Sequence, residues 1–230
     1  MEESETVLGL IKIGEAKYQK SLFEKGEIYM QTQEYFRKLE DEEGRGDQYE
    51  GADNIEQIKW LKLSDGTKEF EFSMEAGNLN KANHFSRFDD FYSNIYSMIG
   101  VCAMDINKDN PIPESNGKLG DFFIFIYNVK EFIKRIKSKL DSMNSDYTWG
   151  WVNYYDECKY EGELTLLHKP EKFKDQREVR FIVHSDVNKP LVFEIGSLAD
   201  ITMPFRIEDL KTLKLVNESV IQIGTKNYND

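Results

Sequence analysis

The sequence predicts an α+β domain with a mainly antiparallel sheet and a few flanking helices, one unit from residue 1 to 230. Two observations carry this. About ten short runs of strand length stand against three or four helical stretches, with Gly, Pro and Asp-Gly punctuation between them. The content, 40% hydrophobic and 13% aromatic over 230 residues, also suffices for one core of ordinary size.

The elements follow in order. Val7–Ile13 is apolar and rich in branched residues, which predicts a strand. Glu15–Lys25 then predicts a helix, acid early and lysine late, with Gly26 as the residue that ends it. Glu27–Gln31 alternates as a second strand, Ile28 and Met30 on one face and Tyr29 on the other. From about Glu40 the periodicity stops and an acidic, glycine-rich loop follows.

Ile58–Leu63 and Lys68–Ser73 predict a hairpin across Asp65-Gly66. Glu75–Ser93 reads as irregular, Asn94–Met104 as a central strand, and Asn107–Gly120 as a connection. Phe122–Tyr127 is apolar throughout, as in a fully buried strand. Val129–Met143 is the clearest helix, capped by Asn128, with Val129, Phe132, Ile133, Ile136 and Leu140 in its stripe. Phe122, Ile124, Ile126, Phe132, Ile136, Phe181 and Val183 are the expected core.

Trp149–Tyr155 and Tyr160–Leu167 read as a strand pair, and Val179–His184, Leu191–Ile195 and Ala199–Met203 as further strands. Arg206–Leu213 predicts a short helix and Val220–Ile223 a last strand.

Composition excludes several functions. The formal net charge is −12, which argues against sequence-independent binding of nucleic acid through a broad basic surface, though a local basic cleft stays open. Cys102 and Cys158 have no zinc spacing and are expected to be reduced packing residues. The acidic start and the absence of a long apolar run point to a cytoplasmic protein without membrane contact. No serine triad, HExxH, Walker loop or GxGxxG is present.

Two clusters remain. Tyr35 to Gly51 interleaves Tyr35, Phe36, Arg37, Arg45, Asp47, Tyr49 and Glu50 among glycines, on a loop where binding groups concentrate. Phe173 to His184 places Val179, Phe181 and Val183 on one strand face and Glu178 with Arg180 on the other. We expect the two clusters to meet in one cleft. Asp47, Glu50 and Glu178 would equally suit a hard cation, so a metal-dependent nuclease and a non-enzymatic binding or sensor module both stay open.

Two resemblances add to this reading. Tyr35-Phe36-Arg37, Arg45-Gly46-Asp47-Gln48-Tyr49-Glu50-Gly51 and Gln176-Arg177-Glu178-Val179-Arg180 resemble the YFR, RGDxYEG and QxExR pattern of a large, uncharacterised bacterial family. The likeness extends to Ile195–Asp200 and brings no activity with it. The opening strand, helix and strand are more distantly similar to the start of DarT-type and RNA 2′-phosphotransferase-like ADP-ribosyltransferases.

That second resemblance implies Lys12, Tyr29 and Glu178 as catalytic residues. It also implies NAD held by Tyr35, Phe36, Arg37, Arg45, Asp47, Glu50 and Arg180, with no metal. It implies a macromolecular acceptor, protein or nucleic acid, and a toxin or anti-phage effector with a cognate antitoxin or defence partner. Lys12 departs from the family, whose first strand usually carries His or Arg, because an ammonium lacks the planar grip of a guanidinium.

Overall fold

In the computed structural model, residues 6–39, 46–77, 79, 82–87, 91–106, 108 and 112–215 are described. The chain opens β1 (Val7–Gly14), α1 (Ala16–Lys25), β2 (Glu27–Thr32) and α2 (Gln33–Lys38). It continues β3 (Asn54–Ile58), β4 (Trp60–Ser64), β5 (Glu69–Ser73), β6 (Ala82–Ser86) and the long β7 (Tyr92–Cys102). After β8 (Phe122–Ile126) and α3 (Val129–Ser142) come β9 (Tyr147–Trp151), β10 (Asn153–Tyr155), β11 (Gly162–Glu163) and β12 (His168–Pro170). The described chain ends with β13 (Glu178–Ser185), β14 (Leu191–Glu194), β15 (Thr202–Arg206) and a 3-10 turn at Ile207–Thr212.

The fold is α+β and its sheets are antiparallel, apart from the short parallel pair of β10 with β12. An eight-stranded sheet runs β14-β2-β7-β1-β8-β15, with β13 also on β7 and β9 on β13. Strand alternation sends its side chains into two cores. On one face Leu10, Tyr96, Met98, Ile124, Ile126, Val179, Phe181 and Val183 meet Leu22 of α1 and Phe132, Ile136 and Leu140 of α3. On the other, Ile11, Ile99, Val101, Phe123 and Phe125 pack beneath Ile112, Leu210 and Leu213.

Local chemistry sets the element ends. Gly26 closes α1 at φ 64, its N–H returning to the carbonyls of Leu22 and Ser21, and a Cβ there would meet the Gly196 carbonyl at 2.2 Å. The Asn128 side chain accepts from the Glu131 N–H and starts α3.

Several sequence expectations need correction. Phe122 is only partly buried, because it stands at the start of β8. The run from Ile58 divides, Ile58 ending β3 and Trp60 starting the hairpin. The irregular stretch contains β6, which pairs with β3 along its whole length. Trp149–Tyr155 and Tyr160–Leu167 do not pair: β9 joins β13, β10 joins β12, and Gly162–Glu163 joins β3. The strand expected at Ala199–Met203 runs instead from Thr202 to Arg206, an edge position that tolerates Pro204. Cys102 is buried as expected, whereas Cys158 is exposed. Val220–Ile223 lies outside the described residues.

Candidate functional site

The site begins with an unequal sharing of β7. One edge of this strand is paired continuously with β13, from Glu178 opposite Ile99 to Ser185 opposite Tyr92. The other edge is divided. β1 takes Ile99–Cys102 and β2 takes only Asn94 and Ile95, so neither strand pairs with Tyr96, Ser97 or Met98 on that side. β1 leaves β7 after Ile11 and continues on β8 alone.

Lys12 sits where the strands part. Its ammonium donates to the Ser97 carbonyl at 2.7 Å and lies 4.2 Å above the Tyr96 ring. Burial brings it down to about 8, partly opposed by the charge of Glu178. Among the described residues no carboxylate forms an ion pair with it.

A cavity of about 540 Å³ fills the split. Lys12, Tyr18, Tyr29, Tyr35, Phe36, Glu50, Tyr96, Lys169, Glu178 and Arg180 are among its lining residues. Tyr18, Tyr29 and Tyr35 are exposed large rings, which gives the cavity an aromatic rim.

Its far wall is a buried charge cluster. Arg180, 2% exposed, forks onto Glu50 at 2.8 and 2.9 Å and donates to Glu178 through Nε at 2.7 Å. Lys169 donates to the other Glu178 oxygen and to Gln176, both at 2.6 Å. The Glu178 N–H donates to the Tyr154 hydroxyl oxygen at 2.9 Å. Burial pushes the Glu178 carboxyl up, but Arg180 and Lys169 outweigh it and hold it well below the usual carboxylate range. For Glu50 burial prevails and the shift is upward, against the pull of Arg180 and Lys169. Burial likewise raises Asp47. Two cations thus stand against Glu50 and Glu178 inside the cluster, while Lys12 adds a positive charge to the cavity beyond it.

The loop that delivers Glu50 is anchored from several directions. The Asp47 N–H donates to the Phe36 carbonyl at 3.0 Å, and the Asp47 side chain accepts from the Tyr49 N–H at 3.0 Å. Tyr49 stacks on Phe85 of β6 with ring centroids 3.7 Å apart. Arg87 donates to the carbonyls of Gly51 and Glu50 at 3.0 and 3.3 Å. Gly51 has φ 73 and leaves room for Gln33, whose amide oxygen a Cβ would approach to 2.9 Å.

Of the residues expected at the site, Lys12, Tyr29, Tyr35, Phe36, Glu50, Glu178 and Arg180 all line this cavity. Asp47 is buried but does not line it, and neither does Arg37. One terminal nitrogen of Arg37 is buried and has no hydrogen-bond partner among the described residues, and burial with the nearby Arg87 charge lowers this guanidinium. Arg45 lies outside the described residues.

Sequence reasoning missed Lys169, Tyr154 and Tyr18. A lone lysine before a proline and single tyrosines carry no periodic signal. It also missed α2, although Thr32 caps it by accepting from the Tyr35 N–H and Arg37 and Lys38 close it, a legible start and stop.

Among the described residues no three His, Cys, Asp or Glu side chains converge in a metal-binding group. No helix among them is long and apolar enough to cross a membrane. Comparison with protein-family models, curated proteins and solved structures finds no match to this chain.

Proposed function

We propose that the cavity binds NAD and that the chain is an ADP-ribosyltransferase-like enzyme acting on a macromolecule, protein or nucleic acid. One observation carries the reading: Lys12 and Tyr29 of the first two strands and Glu178 of the distant β13 line a single cavity at the split of the sheet. Its volume of about 540 Å³ falls within the roughly 300–1,000 Å³ of small-molecule sites. The tyrosine rim suits planar heteroaromatic rings, and the Lys12 ammonium suits a diphosphate.

NAD supplies the ADP-ribosyl group. The bond from ribose C1′ to nicotinamide nitrogen breaks, nicotinamide leaves with the electron pair, and an acceptor atom bonds C1′ and loses its proton. Positive charge develops on the ribose as the bond stretches. An ionised Glu178 stabilises that charge and accepts from a ribose hydroxyl. Its two oxygens already receive Lys169 and Arg180, yet a carboxylate offers about four acceptor sites, so capacity remains. A toxin or anti-phage effector, held in check by an antitoxin or defence partner, fits such an activity.

The double pairing of Glu178 also favours a second reading, a non-enzymatic module in which the cluster only shapes a binding pocket. The nuclease reading is weaker, because Arg180 lies between Glu50 and Glu178 where a cation would have to sit.

Transfer of ADP-ribose to protein, DNA and RNA, with and without chelator, tests the proposal with wild type and Tyr29→Ala. Chelator-insensitive transfer, reduced in Tyr29→Ala, supports it. NAD binding without transfer to any acceptor would favour the module. Cation-dependent cleavage without NAD turnover would favour the nuclease.

A further inference from the structure

The charge at the mouth of the cavity bears on which macromolecule can approach it. The exposed rings of Tyr18, Tyr29 and Tyr35 share that lining with the carboxylates of Glu15 and Glu27. Among the lining residues no lysine or arginine is exposed. Lys169 and Arg180 are buried against Glu178 and Glu50, and Lys12 is partly buried at the split. Lys17, next to the mouth, already pairs with Glu15 at 3.1 Å.

The same character continues onto the edge of the sheet. Pairing of β2 with β14 sets Val192 opposite Tyr29 and Glu194 opposite Glu27, on the face away from the core residues Ile28, Met30 and Phe193. Tyr29, Val192 and Glu194 are exposed. Like charges directly opposite across strands are destabilising, and neither glutamate forms an ion pair among the described residues. The α3 cations in the groove beside Glu194 do not relieve it. Lys134 pairs with Glu131, Arg135 with Glu131 and Asp200, and Lys139 with no carboxylate among the described residues.

We propose that the acceptor is a protein, and that it docks through a basic segment whose Lys or Arg lies over Tyr29 and between Glu27 and Glu194. The proposal rests on the transferase reading for the role of acceptor, whereas the docking itself needs no NAD. A cation there neutralises two carboxylates that the fold leaves opposed, and the negative face of a tyrosine ring attracts it. The formal charge of −12 on the whole chain draws a basic partner in from a distance.

A nucleic acid fits this surface poorly. Single-strand sites combine aromatic platforms with a basic groove that follows the phosphates, and the mouth supplies only the platforms. Phosphates there would face Glu27 and Glu194, with no exposed lysine or arginine in the lining to neutralise them. The lysines of α3 line no part of the cavity.

Fluorescence anisotropy of the full chain without NAD tests this. A short labelled peptide rich in Lys and Arg is compared with single-stranded DNA and RNA of matching length. The proposal requires the peptide to bind at least about tenfold more tightly than either oligonucleotide. It also requires Glu27→Lys to weaken peptide binding about tenfold. Glu208→Lys, the same charge change on the turn after β15 at the opposite end of the sheet, should weaken it less than about twofold. The residue at 27 faces Glu194, so the thermal transition of Glu27→Lys should hold or rise, which separates lost docking from lost fold. If Glu27→Lys unfolds, Glu27→Gln against Glu208→Gln reads the same contrast. Oligonucleotide binding that matches peptide binding would overturn the proposal, and so would no peptide binding at all. Equal losses in the two variants would overturn it too, by reducing the binding to attraction between net charges. NAD binding without peptide binding removes this partner and leaves the transferase; peptide binding without NAD binding removes the transferase and leaves the docking surface.

Discussion

The central cavity and the projecting hairpin violate the usual burial rule in opposite directions. At the cavity, Glu50, Lys169, Glu178 and Arg180 are buried; on the hairpin, Leu61, Leu63 and Phe70 face water. Buried charge and exposed apolar surface are the departures that carry information, since scattered surface hydrophobics do not. The first is tolerated because every charge in the cluster has an ionised partner. The second is tolerated because turn and cross-strand bonds hold the hairpin without a core beneath it. Each region accepts a cost to stability, and the cavity is the one to which we assign a binding role.

The largest expected effect breaks the cluster. Arg180→Met keeps most of the volume but leaves Glu50 and Glu178 buried without their shared cation, which should cost about 3–5 kcal/mol in urea unfolding. A loss below about 1 kcal/mol would mean that water reaches these carboxylates and that the cluster is not a buried network.

Next comes turnover. Glu178→Gln should retain NAD binding and lower ADP-ribose transfer roughly 10²-fold or more, the scale of losing one placed catalytic group. Full transfer in this variant would remove Glu178 from the mechanism.

A third effect follows from pH. The Glu178 carboxyl is held below its ordinary value of 4.5 in the fold, so its contribution to stability is complete above that value. It is lost as pH falls below 4.5 toward the depressed folded value. Acid titration of stability should therefore be shallower in Glu178→Gln than in wild type. At the other end of the scale, Lys12 loses its proton near 8. Affinity for the NAD diphosphate should fall as pH rises through that value, and Lys12→Met should abolish the dependence.

The smallest effect belongs to the hairpin. Leu63→Glu should change the stability of the monomer by no more than about 0.5 kcal/mol, as for a surface position, whereas Phe181→Ala in the core should cost about 3–5 kcal/mol. Comparable losses at both positions would show that the hairpin is packed after all.

How much of this was legible follows from the range of each interaction. The α3 stripe, the Asp65-Gly66 turn and the Gly26 stop are local patterns, and the sequence states them openly. The alternation of Val179, Phe181 and Val183 against Glu178 and Arg180 is local too, and it put the two charged residues on one face. That this face is buried was not legible, because Glu50 reaches Arg180 from 130 residues away. Lys169 had no local signal, since its role depends on β12 lying beside Glu178. The split between β1 and β2 was equally hidden: it depends on which residues of β7 each strand pairs with, and strand pairing is non-local. β6 and the partners of β9 to β12 were missed for the same reason.

The most direct test of the central claim is the thermal unfolding of the wild-type chain titrated with NAD, beside Lys12→Met and Tyr29→Ala. If the cavity at the split is an NAD site, NAD at about 100 times Kd should stabilise wild type by about 2.7 kcal/mol. Both variants should then need more NAD to reach the same shift. No stabilisation of the folded wild-type chain at any NAD concentration would contradict the account, and so would an equal shift in all three proteins.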